Sequence, residues 1–181
     1  MDSKKKRAPA KKRDVVLVLH DIRSAHNVGA ILRTADAAGV SKIYLTGYTP
    51  APIDRFGRER RDVAKAALGA EKWVRWEQNE EILPLIRMLK KKGYRVIAVE
   101  QSPTAEQYRT VPVPRKSVFV FGNEVEGLPE AVLDAVHVVA EIPMRGKVVR
   151  QAHHPRHTRR GKESLNVSVA VGIALFGMLR L

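Results

Sequence analysis

The sequence contains no cysteine. Disulfides, thiolate metal sites and a cysteine nucleophile are excluded, and the absence fits a cytoplasmic protein. No run of about 18 apolar residues occurs, so neither a transmembrane helix nor a membrane partner is expected. The start is basic, but no apolar signal-peptide core follows it within the first dozen residues. No strand-like run is followed by G-x-G-x-x-G, and no Gly-Lys-Ser/Thr is present. A conventional dinucleotide site and the phosphate loop of nucleotide hydrolases are therefore not expected. Acidic residues are also scarce, 19 against 33 Lys and Arg, which leaves a net charge of +14.

That charge is concentrated. Residues 1–13 hold seven Lys/Arg and one acid, and residues 145–162 hold seven Lys/Arg and none. Together they account for +13, so the remainder of the chain is almost neutral. Two dense basic segments suit a polyanionic partner such as nucleic acid, drawn in by counterion release. The plainer alternative is two solvated, disordered basic tails.

A length of 181 residues suits one domain with a sizeable core. Val15 to Leu19 is a short continuous apolar run, as in a strand covered on both faces. A helix is predicted from about Ala25 to Ala38, with Val28, Ile31, Leu32 and Ala35 on one side. Ile43 to Leu45 is a second strand, residues 47–57 a surface loop, Arg58 to Leu68 a short helix and Trp73 to Trp76 a short strand. Glu80 to Lys92 is an amphipathic helix that presents Ile82, Leu85, Ile86 and Leu89. Tyr94 to Val99 and Val118 to Phe121 are further buried strands. Pro129 to Ala135 is a helix with proline at its first position, Val138 to Ile142 a last strand, and Leu165 to Leu181 an apolar helix. The alternation implies an α/β domain with a mainly parallel sheet and helices on both faces.

Four segments fall where such a sheet places its functional loops, just after strand ends. His20 to Gly29, running on to Arg33, couples a polar strand end to a helix start. Asn27 there suits either a helix cap or a site residue, and Arg33 either a surface charge or a phosphate donor. Phe121 to Pro129 is a glycine-bounded polar loop in which Glu124 is available to accept hydrogen bonds. Ile142-Pro143-Met144 ends the last strand. Ser164 and Asn166 precede the final helix, as caps or as site residues. His153, His154 and His157 lie between the last two segments without a carboxylate or thiol, so no metal is expected.

Taken together, Asn27-x-Gly29-x-x-x-Arg33, Phe121-Gly122-Asn123-Glu124-x-x-Gly127-Leu128, and Ile142-Pro143-Met144 with Ser164-Leu165-Asn166-Val167-Ser168 occur in that order. This set resembles the three signature motifs of the SpoU/TrmH family of RNA ribose 2′-O-methyltransferases, within the SPOUT superfamily. The resemblance covers about residues 14 to 181. It implies a deep trefoil knot at the C-terminal end of the α/β domain, an exception to ordinary connection rules. It implies S-adenosylmethionine as cofactor, RNA (tRNA or rRNA) as partner, and a homodimer with the active site completed near the subunit interface. By position, Asn27, Arg33, Glu124, Ser164 and Asn166 match the catalytic and RNA-handling residues. The cofactor would lie near Val99, Gly122, Ile142, Met144, Ser164 and Leu165.

The chain departs from the family pattern at one point. About 14 residues, Val148 to Gly161, separate the two halves of the third motif, which run almost directly together in relatives. Either this basic loop projects harmlessly, since each doubling of loop length costs only about 0.6 kcal/mol, or it has ended catalysis and left an RNA-binding dimer.

Overall fold

The computed structural model describes residues 13–144 and 164–181. All of the basic tail except Arg13, and the whole inserted loop at about 148–161, lie outside the described residues. In chain order the elements are β1 (Asp14–His20), α1 (Ala25–Ala37), β2 (Lys42–Thr46), α2 (Arg61–Ala67), β3 (Trp76–Asn79) and α3 (Ile82–Lys91). There follow β4 (Arg95–Val99), β5 (Glu106–Gln107), β6 (Lys116–Phe121), α4 (Glu130–Ala135), β7 (Val138–Glu141) and α5 (Val167–Leu179). Among the described residues the strands form one seven-stranded sheet in the order β3-β2-β1-β6-β4-β7-β5, and every neighbouring pair is parallel.

Alternation along the central strands builds two cores, because successive side chains point to opposite faces. Val15, Leu17 and Leu19 of β1 pack with Ile97, Phe119, Phe121 and the apolar faces of α1, α2 and α5. Val16 and Val18 pack on the other side with Val96, Ala98, Val118 and Val120, beneath α3 and α4. Burial on both faces is why β1, β4 and β6 read as unbroken apolar runs. Ile82, Leu85, Ile86 and Leu89 are the buried stripe of α3.

Several details differ from the sequence expectation. Trp73 is 80% exposed and follows a single 3-10 turn; the strand begins only at Trp76. It is a polar edge strand paired with β2 alone, so its residues carry no burial pattern. The helix expected from Arg58 begins at Arg61. Pro129 occupies the cap position, one residue before α4, and not the first helical position. Asn27 is not a cap: Ser24 caps α1, its side chain accepting the Asn27 backbone N–H. The two-residue edge strand β5 had no counterpart in the sequence reading.

The strand order places a crevice. From β1 the chain leaves through α1 toward β2, and from the adjacent β6 it leaves through α4 toward β7, on the opposite side. Loops that diverge from neighbouring parallel strands open a cleft at the strands' carboxyl ends, where α/β sheets bind ligands.

Candidate functional site at the carboxyl ends of the strands

Asn27 sits on the third residue of α1 and is nearly buried. Its amide nitrogen donates to Glu124 Oε1 across the crevice at 2.5 Å. Its amide oxygen accepts from Asn166 Nδ2 at 3.2 Å. Asn166 caps α5, and its own oxygen accepts the Ser168 backbone N–H (2.9 Å) and hydroxyl (2.6 Å). The result is a directed relay from Ser168 through Asn166 and Asn27 to the Glu124 carboxylate. Each bond polarises the next toward the charge. Ser164 Oγ donates to the Glu124 backbone carbonyl at 2.9 Å, tying the segment before α5 to the loop after β6. Asn166 is therefore both helix cap and member of the network.

Beside this relay lies a pocket. Val99, Phe121, Ile142, Val167 and Ala170 give it apolar walls, while Glu124, Gly122, Met144, Ser164 and Leu165 are among the residues that complete its lining. All six residues matched to the cofactor position thus border one cavity, at the ends of β4, β6 and β7. The loop that shapes it is closely fitted. Gly127 has a φ of +70°, and a side chain there would run into the Glu100 carboxylate. Glu100 is committed to scaffolding, since one oxygen accepts the Leu128 N–H (3.0 Å) and the other the Gln101 N–H (2.9 Å).

Arg33 is placed elsewhere. Six residues after Asn27 on the same helix, it lies about 240° around the axis. It is exposed and borders a different depression, with His26, Lys65, Leu68 and Phe176. The single chain brings Asn27, Glu124, Ser164 and Asn166 together and leaves Arg33 outside.

Several bracing residues were not anticipated. Asn123 Nδ2 donates to the Asp21 carbonyl (3.0 Å) and to Tyr48 Oη (2.6 Å), joining the loops after β1, β2 and β6. Its oxygen accepts the N–H groups of Val125 and Glu126. At the end of β1, His20 Nδ1 lies 2.9 Å from the Thr46 hydroxyl and Nε2 lies 3.3 Å from Asp21. Burial holds the His20 pKa below its ordinary value, although Asp21 pulls the other way. The described residues contain no cluster of three or more groups suited to a metal, and His153, His154 and His157 lie outside them. No described helix is long and apolar enough to cross a membrane.

An open parallel α/β sheet with a mainly apolar pocket at its carboxyl edge, beside a carboxylate–amide relay, is the architecture of a small-molecule-binding α/β protein. The particular family follows from comparison. Residues 14–150 match the SpoU rRNA Methylase family, and the chain belongs to it. It is 29% identical over 163 residues to the tRNA (guanosine(18)-2′-O)-methyltransferase of Escherichia coli, an alignment that spans 90% of this chain and 62% of the relative. To the enzyme of the same description from Thermus thermophilus it is 30% identical over 166 residues, spanning 90% and 73%. Its fold superposes with a TM-score of 0.77 on the AdoMet-bound rRNA methyltransferase from Sinorhizobium meliloti, at 28% identity, covering 94% of this chain and 57% of that one. The chain thus spans about three-fifths of the length of several of its relatives.

Proposed function

We propose that this protein transfers a methyl group from S-adenosylmethionine to a ribose 2′-hydroxyl of tRNA or rRNA. The observation that carries the reading is the convergence of the Glu124–Asn27–Asn166 relay on the pocket bordered by Gly122, Ile142, Met144 and Leu165. The pocket fits the cofactor chemically. Val99, Phe121 and Ile142 offer an apolar slot for a flat base, the strand-end backbone offers hydrogen bonds, and Glu124 offers a carboxylate toward a cation. When bound, the cofactor supplies the activated methyl group and its leaving group.

The chain's own residues then have defined tasks. Asn27 fixes the Glu124 carboxylate by donating to one oxygen, so that the group meets the substrate in one orientation. Ser164 and Glu124 are the groups at hand to accept or relay the hydroxyl proton. Arg33 offers a forked set of donors and no acceptor, so its role is to clamp the neighbouring phosphate or stabilise developing negative charge. Because Arg33 lies on the outer side of α1, the reading assigns it to the site of a second copy. The homodimer has independent support. The helix α5 is apolar almost throughout, yet Val169 and Phe176 are 48% and 43% exposed on it, and Phe176 borders the same depression as Arg33.

The segment before α5 returns to the Glu124 loop after leaving β7, and this supports the knotted crossing implied by the motifs. Met144 and Ser164, the described residues on either side of the inserted loop, border the same pocket. A cytoplasmic location accords with an RNA substrate. The test is titration calorimetry with S-adenosylmethionine, followed by mapping of ribose methylation in total RNA incubated with and without the protein. Binding near one cofactor per chain and a new 2′-O-methyl site are expected; failure to bind at millimolar ligand would overturn the reading.

A further inference from the structure

The segment between β2 and α2 is more than a connecting loop. Ile53 and Glu59 form an antiparallel bridge that closes the residues between them into a tight turn. Asp54 organises it: Oδ1 accepts the backbone N–H groups of Phe56 (2.8 Å) and Arg58 (3.0 Å), and Oδ2 accepts Arg58 Nε (2.9 Å). Held in this way, Phe56 is 66% exposed at the tip. The guanidinium carbons of Arg55 and Arg58 stand 4.8 and 5.0 Å from its ring centroid. An aromatic ring presented to solvent among guanidinium planes is a surface on which unpaired nucleobases stack.

Position strengthens this reading. Phe56, Arg55 and Ile53 border a depression shared with Tyr48, and Tyr48 Oη accepts the hydrogen bond from Asn123 Nδ2. Asn123 in turn borders the proposed cofactor pocket. Tyr48 and Asn123 thus form the partition between the turn and the pocket. A nucleotide chain laid across that partition would have one ribose at the pocket and a neighbouring base over the turn. Arg60 is already paired with Asp62 in a two-point contact (2.7 and 3.2 Å). Arg55 beside the ring and Arg23 beside Tyr48 are the cations placed to follow the backbone phosphate.

We propose that the Phe56 turn is a base-stacking subsite for an unpaired nucleotide adjacent to the one that is methylated. This rests on the RNA reading above but not on the transfer chemistry. The competing role is a local staple, in which the arginines and the ring merely hold the turn together.

The experiment measures binding of the full chain to a labelled oligouridylate of about 12 nucleotides and to an abasic strand of equal length, within the range of known single-strand sites. Phe56→Ala is expected to weaken binding to the base-bearing strand about tenfold and to leave the abasic strand unaffected. Phe56→Trp should restore base-dependent affinity, while Phe56→Leu, which keeps apolar bulk without a π face, should not. S-adenosylhomocysteine affinity by calorimetry should be equal in all four proteins. A Phe56→Ala variant that binds both strands like the unsubstituted chain, whatever its melting temperature, would leave only the staple. An unsubstituted chain that binds neither strand would also overturn the proposal. If base-dependent binding holds and cofactor binding is absent, the methyl-transfer reading falls and the stacking subsite stands.

Discussion

Asn27 shows how much of the site belongs to single side chains. Removing its amide leaves Glu124 without the donor that orients it, and Asn166 without an acceptor. Asn27→Ala is therefore expected to lower single-turnover methyl transfer by about two orders of magnitude, with cofactor affinity changed only a few-fold. Rates near those of the unsubstituted protein would mean that the carboxylate needs no orientation. A second prediction concerns His137, whose Nδ1 accepts the Val96 N–H at 2.9 Å. Burial first, then the nearby charges of Lys90 and Arg95, lower its pKa from the ordinary 6.5. A histidine that binds its proton more weakly when folded contributes fully to stability above pH 6.5, and that contribution fades as the pH falls below it. Thermal melts should show stability declining from neutral pH toward about pH 5, with a shallower decline in His137→Gln; parallel profiles would assign the acid sensitivity elsewhere. At this scale the motifs made Asn27, Glu124, Ser164 and Asn166 legible in the sequence. Glu100 and Tyr48 were not, because the partners they brace lie 28 and 75 residues away and neither composition nor spacing marks them; Asn123 stands in the second motif, but its bonds to Asp21 and Tyr48 do not follow from it.

Elements were legible where burial is two-sided. The strands β1, β4 and β6 and the helix α3 announce themselves because one physical demand, burial of every residue or of one stripe, fixes their residue types. The edge strands β3 and β5 escape the same reading, since a strand with one neighbour and polar residues meets no such demand. Gly29 is the informative residue between these levels. In the motif it looks like part of the chemistry, yet a Cβ there would stand 2.4 Å from the Val63 carbonyl oxygen and 2.8 Å from Ala66 Cβ. Its function is to let α1 and α2 touch, which sets the pose of the helix that carries Asn27 and Arg33. Gly29→Ala gains up to about 1 kcal/mol in helix propensity and loses roughly 1–3 kcal/mol to overpacking. The net should be a fall in Tm of a few degrees for a chain of this size. A rise in Tm would show that the two helices separate freely.

At the scale of the whole molecule, the single chain is incomplete as a catalyst on this reading. Glu124 and Asn27 line one side of the fold, while Arg33 faces outward beside the exposed Phe176. The helix expected from about Ala25 already contains both residues, and its period sets them about 240° apart. The motif alone, which groups them as one site, gives no sign that they serve different copies. A two-fold pair that buries the α5 surface is the economical closure for an apolar helix with one uncovered side. The arrangement makes a prediction that a self-contained site does not. Arg33→Ala and Glu124→Gln, each expected to be nearly inactive alone, are mixed in equal amounts and allowed to exchange subunits. If each site takes its arginine from the other copy, every mixed dimer contains one intact site and one doubly impaired site. Mixed dimers form half of the population, so activity should return to roughly a quarter of that of the unsubstituted protein. If Arg33 acts within its own chain, every site in the mixture lacks one residue and no activity returns. Cofactor binding by Arg33→Ala alone should be unchanged in both cases, because Arg33 does not border the pocket. Recovery well below that fraction, with exchange verified by mass spectrometry of the intact dimers, would place Arg33 outside the shared site.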